Sequence, residues 1–402
     1  MIKIVGLGQN FLDIPPSYVK IIENADILIG GARQLSPFNY INCQKLKIVP
    51  PIDKLIAKIK TLKDKNVVVL ADGDPLFFGI GERLIRELGR DIVEIYPNVS
   101  VVQRAGARLG LSLKDIYVVS LHGRDNMFDL FSAISWNKYV GVFTDKSHTP
   151  AKIAKIFLDR DILNFKFHIF EDLCLSSERV LSLSIKDVLK LDYSPLNFLI
   201  LEREKDPEIS PYLGMDDSLF FTDKKQLTKK EVRVISLSNM QIREDSIILD
   251  IGAGSGTVSI EALTLAKKGR VYAIEKDPRR AEIIKLNRKR FGVYALEVIE
   301  NNAEDIIESL PRPDRIFIGG GLINNPELLN LSYERLKSGG IIVVNTVLFN
   351  SFYRCISFCK KNKVHFEVIQ MNINRAKELS ESFYFVPINP VIIITIFKRE
   401  VD

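Results

Sequence analysis

The stretch Ile247-Ile248-Leu249-Asp250-Ile251-Gly252-Ala253-Gly254-Ser255-Gly256-Thr257 reads as a buried strand that runs into a glycine loop and then opens a helix. Gly252, Gly254 and Gly256 allow a tight turn and a close backbone approach to a ligand, and the helix that follows offers free N–H groups. Thr257 stands where a dinucleotide fingerprint has its third glycine, which disfavours a nicotinamide cofactor. Glu275 closes the next apolar run, Val271 to Ile274, about twenty residues on, where a carboxylate can bind a ribose diol. A bare strand-to-helix turn is the plain alternative. With Asp250 before the loop and Glu275 after it, an adenosyl ligand is expected, S-adenosylmethionine first.

Working outward, 402 residues exceed one compact core and imply two or three domains. The composition, 46% hydrophobic and 26% charged, is that of a globular chain. No apolar run has the length of a membrane span, and a first strand beginning at Ile2 argues against a cleavable signal, so a cytoplasmic location is expected. Cys43, Cys174, Cys355 and Cys359 show no C-x-x-C spacing, and the last two fall four apart in a helical apolar pattern, as packing residues do. His122, His148, His168 and His365 are unpaired at ligand spacing, so no metal site is expected. A net charge of +6 permits a polyanionic substrate without demanding nucleic acid, and the cluster Arg279-Arg280, Lys285, Arg288-Lys289-Arg290 reads as a solvated helix face.

From the N-terminus, strands and helices alternate, which implies an α/β sheet up to about residue 203. Strands are expected at Ile2–Leu7, Ala25–Ile29, Val67–Ala71, Ile92–Tyr96, Ile116–Leu121, Tyr139–Phe143, Phe167–Phe170 and Phe198–Leu201. Asp74-Pro75 ends the third of these, because proline donates no ladder hydrogen bond; that turn then lies at the carboxyl edge of a parallel sheet, where ligands bind. The polar stretch Glu204 to Pro211, with two prolines, marks a domain boundary, giving domains at 1–205 and 212–402. Thr228 and Glu231 match a capping box opening a helix. Further strands are expected at Arg315–Ile318, before Gly319-Gly320-Gly321, at Ile341–Asn345, and at Pro390–Phe397, which could close the second sheet.

The order of motifs in the first domain resembles the tetrapyrrole methylases, in the branch that methylates carbon 5 of the precorrin ring. The motifs are Val5-Gly6-Leu7-Gly8, Ala25 to Arg33, Gly73-Asp74-Pro75, Pro97-Asn98-Val99-Ser100, Ala107 to Leu111, Leu121-His122-Gly123-Arg124 and Glu171-Asp172-Leu173 with Glu178-Arg179. The second domain is similar to the methyltransferases that methylate carbon 15 and decarboxylate an acetate side chain. It carries Thr228, Glu231-Val232-Arg233, the loop 250–256, Glu275, Asn301-Asn302-Ala303, Asn372 to Ala376 and Asn389-Pro390-Val391. Carbon-5 domain first is the order of fused C5,15-methyltransferases of cobalamin biosynthesis. The implied architecture is a tetrapyrrole methylase-type α/β domain of two subdomains, then a Rossmann-like class I methyltransferase domain.

The resemblance implies one S-adenosylmethionine per domain. In the second domain it implies donor contacts from Thr228, Gly252, Ala253, Gly254, Ser255, Gly256, Glu275 and Ala303, and in the first from Gly73, Asp74 and Ser100. Asn302 replaces a usual aspartate and can accept from an adenine amino group through its amide oxygen. Gln9-Asn10 follow Gly8 where the family has Pro-Gly, and Asp72 stands where serine is common. The implied substrate is a tetrapyrrole, cobalt-loaded or metal-free, and the implied assembly a homo-oligomer with no nucleic-acid or membrane partner. Methyl transfer to an electron-rich ring carbon asks mostly for positioning, so no catalytic residue is assigned. Arg124 and Arg375 are candidates to hold ring carboxylates, and His122 to move a proton, against the plainer readings of surface ion pairs and a structural histidine. An RNA methyltransferase, or a domain that binds the donor without turnover, are the competing readings.

Overall fold

The computed structural model describes residues 1–8, 10, 13–62, 64–122, 127–224, 227–322, 325 and 327–399. The chain divides into two compact units, 1–125 with 138–203, and 126–137 with 204–402. Among the described residues no helix is long and apolar enough to cross a membrane.

In the first unit, β1 (Ile2–Leu7), β2 (Ile27–Gly30), β3 (Gln44–Lys47), β4 (Val67–Asp72) and β5 (Val93–Tyr96) form a sheet in the order β3-β2-β4-β1-β5. Every pairing in it is parallel. The near-continuous apolar run of β4 is what a strand covered on both faces requires. Val67 and Val69 pack on one side with Leu55, Ile59 and Leu84 from helices, while Val68 and Leu70 pack on the other with Ile22 and Phe38. A second sheet holds β6 (Ile116–Ser120), β7 (Tyr139–Phe143), β8 (Phe165–Glu171), β9 (Arg179–Ser184) and β10 (Asn197–Arg203), ordered β6-β7-β10-β8-β9. Only β6 and β7 run parallel in it. The edge strand β9 is not among the expected strands: its alternation is brief and its side chains stay largely exposed.

The helix Met127–Trp136 falls between β6 and β7 in sequence, yet it packs within the second unit. It is apolar nearly all round and buried from Leu130 to Ser135, as a helix without a polar face must be. Phe128 meets Tyr272 at 5.5 Å between ring centres, and the Ser132 hydroxyl donates to the Gly269 carbonyl at 2.8 Å.

The second unit's sheet consists of β11 (Ile247–Ile251), β12 (Arg270–Glu275), β13 (Leu296–Glu300), β14 (Arg315–Ile318), β15 (Ile341–Thr346), β16 (His365–Leu379) and β17 (Ser382–Phe397). Their order is β13-β12-β11-β14-β15-β17-β16, parallel through β15 and antiparallel beyond it. The strand expected at 390–397 is the inner end of a long hairpin starting at residue 365. The outer part is mostly exposed and mixes polar side chains with exposed apolar ones such as Leu379, Phe383 and Phe385, so no buried-face alternation announces it.

Two local expectations are corrected. The helix after Thr228 is Lys230–Asn239 with Lys229 as its N-cap, and no capping box forms. Glu231 is taken by Arg375, and the Lys230 N–H is satisfied by Asp217 Oδ1 at 3.0 Å instead. The basic helix Pro278–Phe291 is not one solvated face. Arg288 is buried, Arg280 faces Asp223 at 3.5 Å, and Arg290 pairs with Glu208 at 2.8 Å while lying over the Phe221 ring. Cys355 and Cys359 are buried packing residues, and burial pushes their thiols up to about 12 and about 11.

Candidate functional site

At the carboxyl end of β11 the glycine loop is fixed by its backbone. Gly252, Gly254 and Gly256 have φ of +70°, +59° and +75°, a region that other residues enter only at a cost. The N–H groups of Gly252 and Ala253 donate to the Ile274 carbonyl at 2.9 and 3.2 Å, tying the loop to β12. Glu275 is buried and turned toward the loop: it accepts from Gly254 N at 2.8 Å and Asp277 N at 3.1 Å. A side chain at Gly252 would come within 3.1 Å of the Gly320 nitrogen, so the loops after β11 and β14 touch backbone to backbone. A Cβ at Gly254 would meet nothing within 4 Å.

These loops border a cavity of about 660 Å³. Thr228, Gly252, Ala253, Gly254 and Ser255 line it, as do Gly319-Gly320-Gly321, Thr346, Ser351 and Asn389. The glycine run after β14 is visible in sequence as a strand and turn; only the adjacency of β11 and β14 makes it part of the site. The charged side chains on the described lining are Lys229 and Arg280, with no carboxylate among them. Gly256, Glu275, Asn302 and Ala303 lie off the lining. Gly256 is the N-cap of the helix Thr257–Leu265, Asn302 that of the short helix Ala303–Ile306, and Ala303 is buried in the core.

Asp250, under the loop, is 1% exposed. Its Oδ2 accepts from the Ser259 hydroxyl at 2.5 Å, and its Oδ1 has no partner among the described residues. Burial pushes its carboxyl up to about 7, against the Ser259 hydrogen bond and with a further push from Glu275. Arg233, fully buried, positions the cavity mouth. Its Nη1 donates to the Thr228 carbonyl at 2.7 Å and its Nη2 to the Met215 carbonyl at 2.6 Å, while Nε lies 2.8 Å from Glu261. Arg375 is off the cavity lining. Its Nε and Nη2 grip Glu231 at 3.1 and 2.6 Å, its Nη2 also reaches Asp217 at 3.3 Å, and that grip holds the Glu231 carboxyl below its ordinary value.

In the first unit the loops after β1, β4 and β5 converge. Gly73, φ +57°, donates to the Leu7 carbonyl at 2.8 Å and accepts from Asn98 N at 3.1 Å. A Cβ on it would come 2.8 Å from Ser100 Cα. Ser100 caps the helix Val101–Leu109 in a capping box with Gln103. Two cavities flank this junction. One of about 400 Å³ is lined by Asp74 and Ser100; one of about 530 Å³ by Arg33, Asp72, His122 and Thr144. Phe77 and Phe78 line both, and Gly73 lines neither. Phe78 holds φ +55°, and its ring stands 5.6 Å from that of Phe143. His122 Nδ1 lies 3.3 Å from the Thr144 carbonyl. Arg124 and Gln9 lie outside the described residues.

Residues 1–189 match the model of the tetrapyrrole (corrin/porphyrin) methylases, and residues 219–398 that of the precorrin methyltransferase domain. A precorrin-6Y C(5,15)-methyltransferase [decarboxylating] from Sinorhizobium sp is 32% identical over 86% of this chain and 84% of its own length. A probable cobalt-precorrin-6B C(15)-methyltransferase (decarboxylating) from Pyrobaculum aerophilum is 35% identical over 45% of this chain and 94% of its own. A cobalt-precorrin-7 C(5)-methyltransferase from Salmonella typhimurium is 32% identical over 50% of this chain and 99% of its own.

Proposed function

This chain belongs to the precorrin-6Y C5,15-methyltransferase (decarboxylating) family, and from that premise we propose a division of labour between its units. The first unit methylates carbon 5 of a precorrin or cobalt-precorrin; the second methylates carbon 15 and removes the carboxyl group of a ring acetate. Each unit binds its own S-adenosylmethionine. The observation that carries the second assignment is the 660 Å³ cavity, bordered by two glycine loops and lined by Lys229 and Arg280 without a carboxylate among its described residues.

The second unit fits the methyl donor. Gly254 leaves open space where a side chain would stand, and Gly252 brings the β11 loop against the β14 loop. When bound, S-adenosylmethionine supplies a methyl group activated for attack by a carbon nucleophile. The residues of this chain orient the two molecules. Thr228, placed by the buried Arg233, and Gly252 to Ser255 hold the donor side, with Glu275 the carboxylate nearest the loop for a ribose diol. Asn302 and Ala303, just past the end of β13, are the proposed adenine edge. Lys229 and Arg280 hold carboxylates of the acceptor. Loss of carbon dioxide leaves an electron pair that the conjugated ring accepts, and a proton taken from solvent at the side-chain carbon then completes the methyl group that replaces the acetate.

In the first unit we assign the donor to the loops around Gly73, Asp74 and Ser100 and the ring to the larger cavity, where His122 and Arg33 stand. Phe77 and Phe78 line both cavities and would orient the two molecules where the ring carbon meets the donor's methyl group and displaces it from sulfur. An RNA substrate is not favoured, because two cations at the second cavity are few for a phosphate backbone.

The test offers the purified chain S-adenosylmethionine with cobalt-loaded and metal-free precorrin in parallel. Mass spectrometry is expected to show two added methyl groups and one lost carbon dioxide on one of them. No mass change on either would overturn the reading.

A further inference from the structure

The helix Phe349–Asn362 begins at the mouth of the second unit's cavity, directly after β15. Its N-cap, Leu348, supplies no side-chain hydrogen bond. Leu348 N is satisfied by Thr346 Oγ1 at 3.0 Å, and the first intrahelical bond runs from Phe352 N to the Leu348 carbonyl. The N–H groups of Phe349, Asn350 and Ser351 between them find no acceptor among the described residues. Three unsatisfied donors at the start of a 14-residue helix form the positive end of its dipole.

The independent observation is Ser351. It is 4% exposed, it lines the cavity, and its hydroxyl has no hydrogen-bond partner among the described residues. A side chain this buried ordinarily bonds within the protein, so a hydroxyl that opens onto the cavity wall without a protein partner is placed to bind a ligand. The ligand is an acceptor of hydrogen bonds and negatively charged, since the helix start and Lys229 favour an anion, while Arg280 on the same lining already faces Asp223.

On the proposed function, which this inference deepens, two carboxylates could reach the corner: an acid side chain of the tetrapyrrole, or the amino-acid end of the methyl donor. Sheet order favours the first. Glu275 on β12 and the loop after β11 claim the donor, whereas the Ser351 corner follows β15, two strands from β11 and so roughly 10 Å away along the sheet edge. We propose that Ser351 and the N-terminal N–H groups of its helix form a carboxylate subsite that anchors an acid side chain of the ring and so presents carbon 15 to the donor.

The test compares Ser351→Ala and Ser351→Asp in the full chain. Aspartate at the third helical position suits the helix dipole, so the fold tolerates it, while its charge occupies the subsite and repels a second carboxylate. Steady-state kinetics at carbon 15, followed by methyl gain and carbon dioxide release, are expected to show KM for the tetrapyrrole raised about tenfold or more by Ser351→Asp and about threefold by Ser351→Ala, the order expected for hydrogen bonds to a charged group. KM for S-adenosylmethionine and carbon-5 methylation are expected to stay within about twofold. An unchanged tetrapyrrole KM in both variants overturns the subsite. A rise in the donor's KM instead overturns its assignment to the ring. Absence of carbon-15 methylation in the unaltered chain overturns the reading beneath it, and is seen before any variant is made.

Discussion

In the second unit one edge of one sheet frames the cavity: the ends of β11, β14 and β15 lie side by side and their loops supply most of the wall, with Thr228, Lys229, Arg280 and Asn389 completing it. In the first unit no single edge suffices. The 530 Å³ cavity takes Arg33 and Asp72 from the parallel sheet's edge, and Thr144 and Phe198 from the mixed sheet, with the Phe77-Phe78 turn between. A site on one sheet edge is held by the same hydrogen bonds that hold the sheet; a site spanning two sheets depends on loops whose backbone is strained, as Phe78 at φ +55° is. On the proposed function the two units also separate the work: the second holds a polar donor on rigid backbone, and the first divides its space with an aromatic wall.

Replacing Gly254 with aspartate is the largest test of that contrast. Its φ of +59° disfavours any L side chain, and the open space before it is where the proposed function puts the donor. A carboxylate there also faces Glu275, which accepts the Gly254 N–H. Carbon-15 methylation and decarboxylation are expected to fall at least about a thousandfold, the loss of a bound donor, with carbon 5 unaffected. Loss of both steps would show that the units are not independent.

Next in size is the pH dependence held in Asp250. The folded state keeps its proton up to about pH 7, while an unfolded aspartate releases it near 3.9. Between those values the folded state binds one proton more, so stability falls as pH rises through this window and levels above about 7. The most this group can contribute is about 4 kcal/mol, since each tenfold difference in proton affinity is worth about 1.36 kcal/mol. Asp250→Asn is expected to melt higher than the unaltered chain at pH 8, with the gap closing toward pH 4. Equal gaps at both pH values would place the proton elsewhere.

How much can be read from sequence alone follows the same division. The loop 252–256 is legible because its residues are contiguous and its glycines have a backbone reason to be there. Ser351, Asn389 and Gly319 to Gly321 are not legible as parts of the site, because only the strand order brings them to the loop. Glu275 is found by spacing, but spacing does not show that it faces the Gly254 N–H. Arg375 reads in sequence as a cation available to substrate, and it is held by Glu231 and Asp217 from elements well over a hundred residues away. The alternation of strands finds the inner strands of both parallel sheets, and fails at the edge strands β3, β9 and β13 and along the hairpin 365–397, where exposure weakens the apolar pattern.

Phe78→Gly probes the aromatic partition. Glycine relieves the left-handed strain, worth about 1 kcal/mol, and offsets part of the lost ring packing, so thermal stability is expected to change little. With the ring gone the two cavities join, and kcat for carbon 5 is expected to drop about tenfold through lost orientation, carbon 15 remaining intact. Full carbon-5 activity would show that the half-exposed Phe78 ring does not orient the reacting molecules.

The smallest effect belongs to Arg33 and Asp72, which pair at 2.6 Å at the rim of the larger cavity, each nearly half exposed. An ion pair so open to solvent adds little stability, so Asp72→Ser is expected to shift unfolding by less than about 1 kcal/mol. Its effect on binding has a definite sign. The Asp72 carboxylate competes for Arg33 with any carboxylate of the ring, and serine, the residue common in the family at this place, does not. Removing it frees the guanidinium and also removes a negative charge from the wall. KM for the tetrapyrrole at carbon 5 is therefore expected to fall about two- to threefold, more at low salt than at high, because an exposed charge is screened within about 10 Å at 0.1 M ionic strength. If KM rises instead, Asp72 serves to orient Arg33, and the first unit's rim is preset by an ion pair in the way the second unit's mouth is preset by Arg233.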